Sequence, residues 1–422
     1  SRPRREEPPV SAPPAAPVAS SSGGALMPPI KRSKSRAGIF ALLAVLILVV
    51  AAVAVGYEEN WFTASSSKPG TCSTGTTLQG NGAQIAIPLM DQWETSFQQQ
   101  TSNQVNYPGA GSGTGITDFS EHPPLVDFAI ADEPLTSADV AALPGTALTL
   151  PVTAGALAII YNLPGVTGHV NLTGGIIADI YLGTITNWND SAIRANNAGV
   201  DLPNATIDTV HRSDAAGTTY VLTNFLSDDS SAWNISGGGP GQGISISWPS
   251  APMQTAAKGN SAVLSTVETT TYSIGYSDLT DLLLASTPPG YAAVQNPKGT
   301  FVVPTLASTA SAISDKTATT ALPASDGSWF NVSMVNAQGT EDYPLATFIY
   351  LYVYQAADKG YAPTLDKAQV LVQFVSWAIT VGQTYSNSTG LYYVALPAAV
   401  VAIDQAGIQT MTFNGEAIPA CG

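Results

Sequence analysis

The chain has 422 residues, enough for a tail and one two-lobed domain but not for several large domains. Its net charge of −15 is uneven: residues 1–37 hold seven basic and two acidic side chains, and the remainder holds eight basic and 28 acidic ones. So acidic a domain excludes nucleic acid as a partner. With only 11% charged residues it presents Ser, Thr, Ala and Gly instead, a balance suited to an acidic exterior where carboxylates are protonated.

In chain order, residues 1–36 are rich in Pro, Ala and Ser and poor in large apolar side chains, which predicts a disordered cytoplasmic tail. Lys31, Arg32, Lys34 and Arg36 precede the uncharged run AGIFALLAVLILVVAAVAV, which is long enough for a transmembrane helix over 37–56. Basic residues before the run and Glu58 and Glu59 after it place the N-terminus inside and the rest outside, with Tyr57, Trp61 and Phe62 at the interface. A cleaved signal peptide is the competing reading; the length of the run and the lack of a small-x-small site directly after it favour an uncleaved, single-pass anchor. Residues 57–77 then read as a flexible Ser/Gly tether.

Beyond the tether, sequons begin at Asn171, Asn189, Asn204, Asn234, Asn331 and Asn387, candidate glycosylation sites in an exported chain. Cys72 and Cys421 are the only cysteines and bracket the globular part, so outside the cell a disulfide between them would staple its two ends together.

The domain alternates strand-like and helix-like runs, which predicts an α/β architecture. LQGNGAQIAIPLMDQWETSFQQQ passes from a Gly turn into a helix with Leu89, Trp93 and Phe97 on one face and Pro88 in its first turn. QVNYPGAGSGTGITDF reads as a strand, a Gly-rich turn and a helix start, and VDFAIADEPLT as a buried strand ending at Asp132. ALTLPVTAGALAIIYN holds two apolar runs broken by Pro151 and Gly155, a place for the chain to cross between lobes. TVHRSDAAGTTYVLTNFL, Thr209 to Leu226, is again strand, Gly-bearing turn and amphipathic helix, and it carries Arg212, which with Arg194 makes the only arginines after Val55. A turn of this kind aims free N–H groups and a helix dipole at one point, which suits an anion. Later, EDYPLATFIYLYVY predicts a central strand and KAQVLVQFVSWAIT an amphipathic helix with Val370, Phe374, Trp377 and Ala378 inward.

Several chemistries are not encoded. GAGSGTG lacks the Lys-Ser/Thr of a P-loop and the spacing of a dinucleotide fingerprint. His122, His169 and His211 stand apart, without a second metal ligand at helical or turn spacing. No G-x-S-x-G elbow occurs, and no nucleophile, base and orienter can be assembled.

The segments VNYPGAGSGTG, VDFAIADEPL, ADIYLGTITNWND (Ala178 to Asp190), VHRSDAAGTTYVLTNFL, SIGYSDL and VSWAITVGQTY with YYVALP behind it follow one another in a single order. In that order the chain, over roughly 78 to 410, resembles the phosphate-binding proteins of phosphate ABC importers. The resemblance implies a two-lobed periplasmic-binding-protein fold with hinge crossovers, here with lobe one at 78–151 plus 344–420 and lobe two at 152–343. It implies that an anion is held by Ser112, Asp132, Arg212, Gly217 and Thr218, with Asp214 orienting the arginine. Gln84, Ile85, Gly113 and Ala216 stand where the family places Thr, Phe, Ser and Ser. Two or three hydroxyl donors are therefore missing, which backbone N–H groups of Ile85, Gly113 and Ala216 and the amide of Gln84 could replace. Arg212 supplies a fork for two oxygens, Ser112 and Thr218 supply hydroxyls, and Asp132 tolerates an oxyanion only with a proton between them, which favours phosphate over sulfate.

The expected function is therefore that of a membrane-anchored extracellular protein that captures inorganic phosphate and hands it to an ABC permease, with no cofactor and no chemistry of its own. A surface glycoprotein of the same fold with a structural or adhesive role is the alternative, and a phosphatase the third reading.

Overall fold

A computed structural model describes residues 73–388 and 390–420. The tail, the predicted membrane span, Cys72 and Cys421 lie outside the described residues, and among these no helix is long and apolar enough to cross a membrane.

Strands β1 (Thr77–Gly82), β2 (Gln104–Asn106), β3 (Phe128–Ala131), β4 (Ala147–Tyr161), β5 (Asp208–Arg212), β6 (Met253–Ala257), β7 (Ser273–Asp278) and β8 (Ala346–Tyr354) form one sheet in the order β2-β1-β3-β8-β4-β7-β5-β6. Its outer parts are parallel and its centre is antiparallel. β4 joins the halves: it pairs with β8 along 147–156 and with β7 along 157–161. The two apolar runs read from the sequence are thus one strand. The β4–β8 register slips beside Pro151, between Ile349 and Tyr350, and such an irregularity is where a strand tolerates a residue without an N–H.

Each half of β4 belongs to a different core. Leu148, Leu150, Val152 and Ala154 join a core built on β1, β3 and β8; from Ala156 onward the strand joins a second core that continues to Leu345. Ala312, Ile313, Trp329, Val332 and Met334 also pack into the first core. Along the second half of β4 the alternation of side chains serves two layers: Leu157, Ile159 and Tyr161 face one core, and Ala158 and Ile160 face a third, smaller one.

Helix α1 (Ile87–Thr101) has its proline in the first turn and buries Leu89, Trp93 and Phe97, as the 3–4 spacing predicts. It packs on the helix Leu365–Ala378, which buries Val370, Phe374, Trp377 and Ala378. Phe97 meets Phe374 edge-on at 5.3 Å and Trp93 meets Trp377 at 6.2 Å, so truncating Phe374 to Ala would cost about 3–5 kcal/mol. β8 is buried along its whole length, consistent with a central strand.

Candidate functional site

Three helices follow strands through short turns, and their first turns meet one another. These are α2 (Ser112–Ser120), α3 (Gly217–Asp229) and α4 (Asn260–Thr269), entered through Gly111, Ala216 and Gly259. None of these entry residues caps its helix with a side chain, and neither does Ala83 before the turn Gln84–Ala86. By contrast Thr136, Thr173, Asp190, Thr305 and Thr364 cap the helices they precede. First-turn N–H groups left without a side-chain cap, together with aligned helix dipoles, form an anion site. Gly111 is needed for its backbone: φ is 110°, and its N–H donates to Gly82 O at 2.7 Å, which turns α2 back toward β1.

The side chains brought to this junction are almost all buried. Ser112, Asp132, Arg212 and Thr218 are each at most 4% exposed. Ser112 Oγ donates to Asp132 Oδ1 at 2.9 Å. Arg212 donates from Nε and Nη2 to the two oxygens of Asp214, at 2.8 and 2.6 Å, and from Nη1 to Thr218 Oγ1 at 3.2 Å and to Asn260 Oδ1. Asp214 thus holds two of the guanidinium nitrogens. A fixed fork in this setting presents its charge in one direction, which a lysine could not do.

Burial raises the Asp132 carboxyl to about 6, with Ser112 and Arg212 opposing the shift. For Asp214 burial raises, but the hydrogen bonds and charge of Arg212 and the Gly259 amide outweigh it and hold the carboxyl below its ordinary value. The site therefore pairs an acid that titrates near neutrality with one that stays ionised beside the cation.

The remaining residues predicted for the site also meet here, in other roles. Gln84 uses its carbonyl oxygen, accepting from Asn260 N at 2.8 Å. Ile85 is buried and its carbonyl accepts from Tyr393 Oη at 2.6 Å. Two amides that the sequence reading offers to an anion are engaged by the protein: Ala216 N donates to Ile244 O at 2.9 Å, and Gly113 N to Ala215 O at 3.4 Å. This is a correction to the expectation, and its cause is long-range packing that local sequence does not reveal: the segment at Ile244 lies against the α3 entry, and that entry lies against the first turn of α2. Gly217 is held by space, since a Cβ there would stand 2.2 Å from Asp132 Oδ1.

Asn260 is the residue the sequence reading missed. It is 3% exposed, accepts from Arg212 and from Thr218 Oγ1 at 3.2 Å, and donates from Nδ2 to Asp278 Oδ2 at 2.9 Å. Donors on one side and a carboxylate on the other fix its amide orientation. The available signal was Lys258-Gly259-Asn260, a fourth glycine turn between a strand and a helix.

Of the sequon asparagines, Asn189, Asn204, Asn331 and Asn387 are exposed, whereas Asn171 and Asn234 are half-buried and donate their Nδ2 to backbone carbonyls of Asn196 and Ser227.

Residues 67–380 match the family model described as PBP superfamily domain. Over 332 residues, 77% of this chain and 82% of the relative, the sequence is 34% identical to the phosphate-binding protein PstS of Xylella fastidiosa. The chain belongs to the phosphate-binding proteins of the PBP superfamily. Within that family it is also 31% identical to PstS of the archaeon Methanocaldococcus jannaschii over 379 residues, covering 86% of this chain and 94% of the relative. The two-lobed fold agrees with a solved phosphate-binding protein from Stenotrophomonas maltophilia, which superposes with a TM-score of 0.61 at 19% identity and covers 79% of this chain and 94% of that one.

Proposed function

We propose that this protein captures inorganic phosphate in the cleft between its two lobes and delivers it to an ABC permease. The observation that carries the reading is the convergence of a single buried arginine, two hydroxyls and two helix starts without side-chain caps on one buried carboxylate, Asp132. Arg212, Ser112, Thr218 and the first-turn amides at Gly217 and Thr218 supply donors; Gln84, Ile85, Gly113 and Ala216 form the walls. Asp132 accepts the proton of a protonated phosphate, whereas sulfate at neutral pH brings an unpaired oxygen against it. Charge on the anion is met by the guanidinium and helix dipoles, so an acidic domain can still hold it.

On this reading the run 37–56 anchors the domain outside the cell, the exposed Asn189, Asn204, Asn331 and Asn387 are the sequons open to glycosylation, and the protein performs no chemistry on its ligand. Equilibrium binding of labelled phosphate with sulfate as competitor is the test. Phosphate binding that sulfate displaces poorly is the expected result. An absence of phosphate binding would favour a structural role for the same fold, and turnover of a phosphomonoester would make the protein an enzyme.

A further inference from the structure

Glu133 follows Asp132 at the end of β3 and is 3% exposed, and neither of its carboxylate oxygens has a partner at hydrogen-bond distance and angle; the donors nearest to it are its own backbone N–H and the Ser112 hydroxyl, which donates to Asp132 instead. Both acids reach the first turn of α3. Glu133 Oε2 lies 2.6 Å and Asp132 Oδ1 2.2 Å from the point where a Cβ on Gly217 would stand, so the missing side chain at Gly217 is what admits two carboxylates to one helix start. The groups around Glu133 offer no cation. Asp132 stands beside it, Tyr352 from β8 donates only to its backbone carbonyl at 2.5 Å, and Tyr107, whose hydroxyl donates to Ala83 O at 2.9 Å, Tyr220 of α3, Asp139 of the helix Ser137–Ala142 and Ser112 of α2 also stand near it. Arg212 is turned to Asp214, Thr218 and Asn260. A buried carboxylate without a donor is unstable as an ion, and a second carboxylate at the same place makes it more so. Burial first, and the Asp132 charge second, push the Glu133 carboxyl well above its ordinary range.

We infer that Glu133 is a second acid of the anion site, which keeps its proton while Asp132 is ionised, so that the pair meets a bound oxyanion with one negative charge and one donor hydroxyl. The inference rests on the phosphate reading above and extends it. One carboxylate that accepts and one carboxyl that donates match an anion bearing one O–H and several bare oxygens. Loss of the Glu133 proton places a second negative charge beside the anion, so capture weakens as pH rises through that titration.

The test is equilibrium dialysis of the full chain with labelled inorganic phosphate from pH 6 to 9, comparing wild type, Glu133→Gln and Glu133→Ala. Phosphate's own titration is common to all three and cancels in the comparison. Glu133→Gln keeps the size and a donor but cannot ionise, so its affinity should be nearly level at alkaline pH while the wild type falls by up to roughly tenfold per pH unit above the Glu133 titration. Glu133→Ala should bind about tenfold or more weakly than Glu133→Gln at pH 7, because the donor is gone. Parallel profiles for wild type and Glu133→Gln, or equal binding by the Gln and Ala variants, would overturn the inference and leave the phosphate reading intact. Absence of phosphate binding at every pH would overturn both.

Discussion

Arg212 and Asp214, two residues apart at the end of β5, form a paired fork in which Nε and Nη2 of the one meet Oδ1 and Oδ2 of the other. The guanidinium is 2% exposed at its side chain and the carboxylate 17%, so the pair is shielded from the screening that makes surface ion pairs weak. With Nε and Nη2 given to Asp214 and Nη1 given to Thr218 and Asn260, only the outer proton of Nη2 is left without a protein acceptor.

That relationship sets the first prediction. Arg212→Lys keeps the charge but cannot hold both Asp214 and an anion in fixed directions. It should lower phosphate affinity by about 2–4 kcal/mol, roughly 30- to 1000-fold, nearly as much as Arg212→Ala. Equilibrium dialysis measures this, and an Ala variant that binds like wild type would remove Arg212 from the site.

Selectivity provides the second. Sulfate and phosphate share size and shape, so a group that senses the ligand's proton must separate them. Asp132→Asn supplies a donor in place of the acceptor, and sulfate should then compete measurably better at pH 7.5. In the wild type the same change should appear as pH falls through about 6, where Asp132 itself becomes protonated. Sulfate competition left unchanged by the substitution would exclude Asp132 as the selecting group.

Gly217 tests the geometry. A methyl group there would overlap Asp132 and Glu133. Gly217→Ala should cost about 1–3 kcal/mol of stability through overpacking and weaken phosphate binding by pushing both carboxylates from the helix start. Denaturant unfolding beside a binding isotherm separates the two effects; a variant unaltered in both would show that the close approach is not required.

Gln84 lies on the β1 side of the junction and Asn260 on the β6 side, and one hydrogen bond of 2.8 Å joins them. Gln84→Ala should loosen the closed cleft by about 1 kcal/mol, a several-fold rise in phosphate Kd driven by faster release. Stopped-flow dissociation rates would show it, and an unchanged rate would exclude the latch.

Stability should favour acid. Burial raises Asp132 to about 6 and, with Asp91 adding to burial, Glu94 to about 7, and burial alone raises Asp404 well above its ordinary value. A carboxyl whose folded pKa lies above its unfolded one binds its proton more tightly in the folded state. Its contribution is complete below about pH 4 and is lost as pH rises through 6 to 7. Asp214, held low beside Arg212, works in the opposite sense, losing its contribution only in stronger acid. The Tm of the ligand-free chain should accordingly be several degrees higher at pH 5 than at pH 8, followed by circular dichroism. An equal or higher Tm at pH 8 would contradict the balance.

Local sequence determined much of this protein: the faces of α1 and of Leu365–Ala378, the central strand β8, the glycine turns that open α2 and α3, and the placing of Ser112 at a helix start and of Asp132 and Arg212 at strand ends. Those features depend on side-chain period and on backbone freedom, which act over a few residues and are visible in a string of letters. Tertiary structure decided what long-range packing controls. Ala216 donates to Ile244, Gln84 accepts from Asn260, and Asn260 stands between Arg212 and Asp278, each a contact between segments distant in sequence. Glu133 shows the difference most plainly. As a letter it is an ordinary charged residue in a turn, and only the arrival of α3 with a glycine at its first position buries it beside Asp132 and makes a proton, rather than a cation, its means of neutralisation.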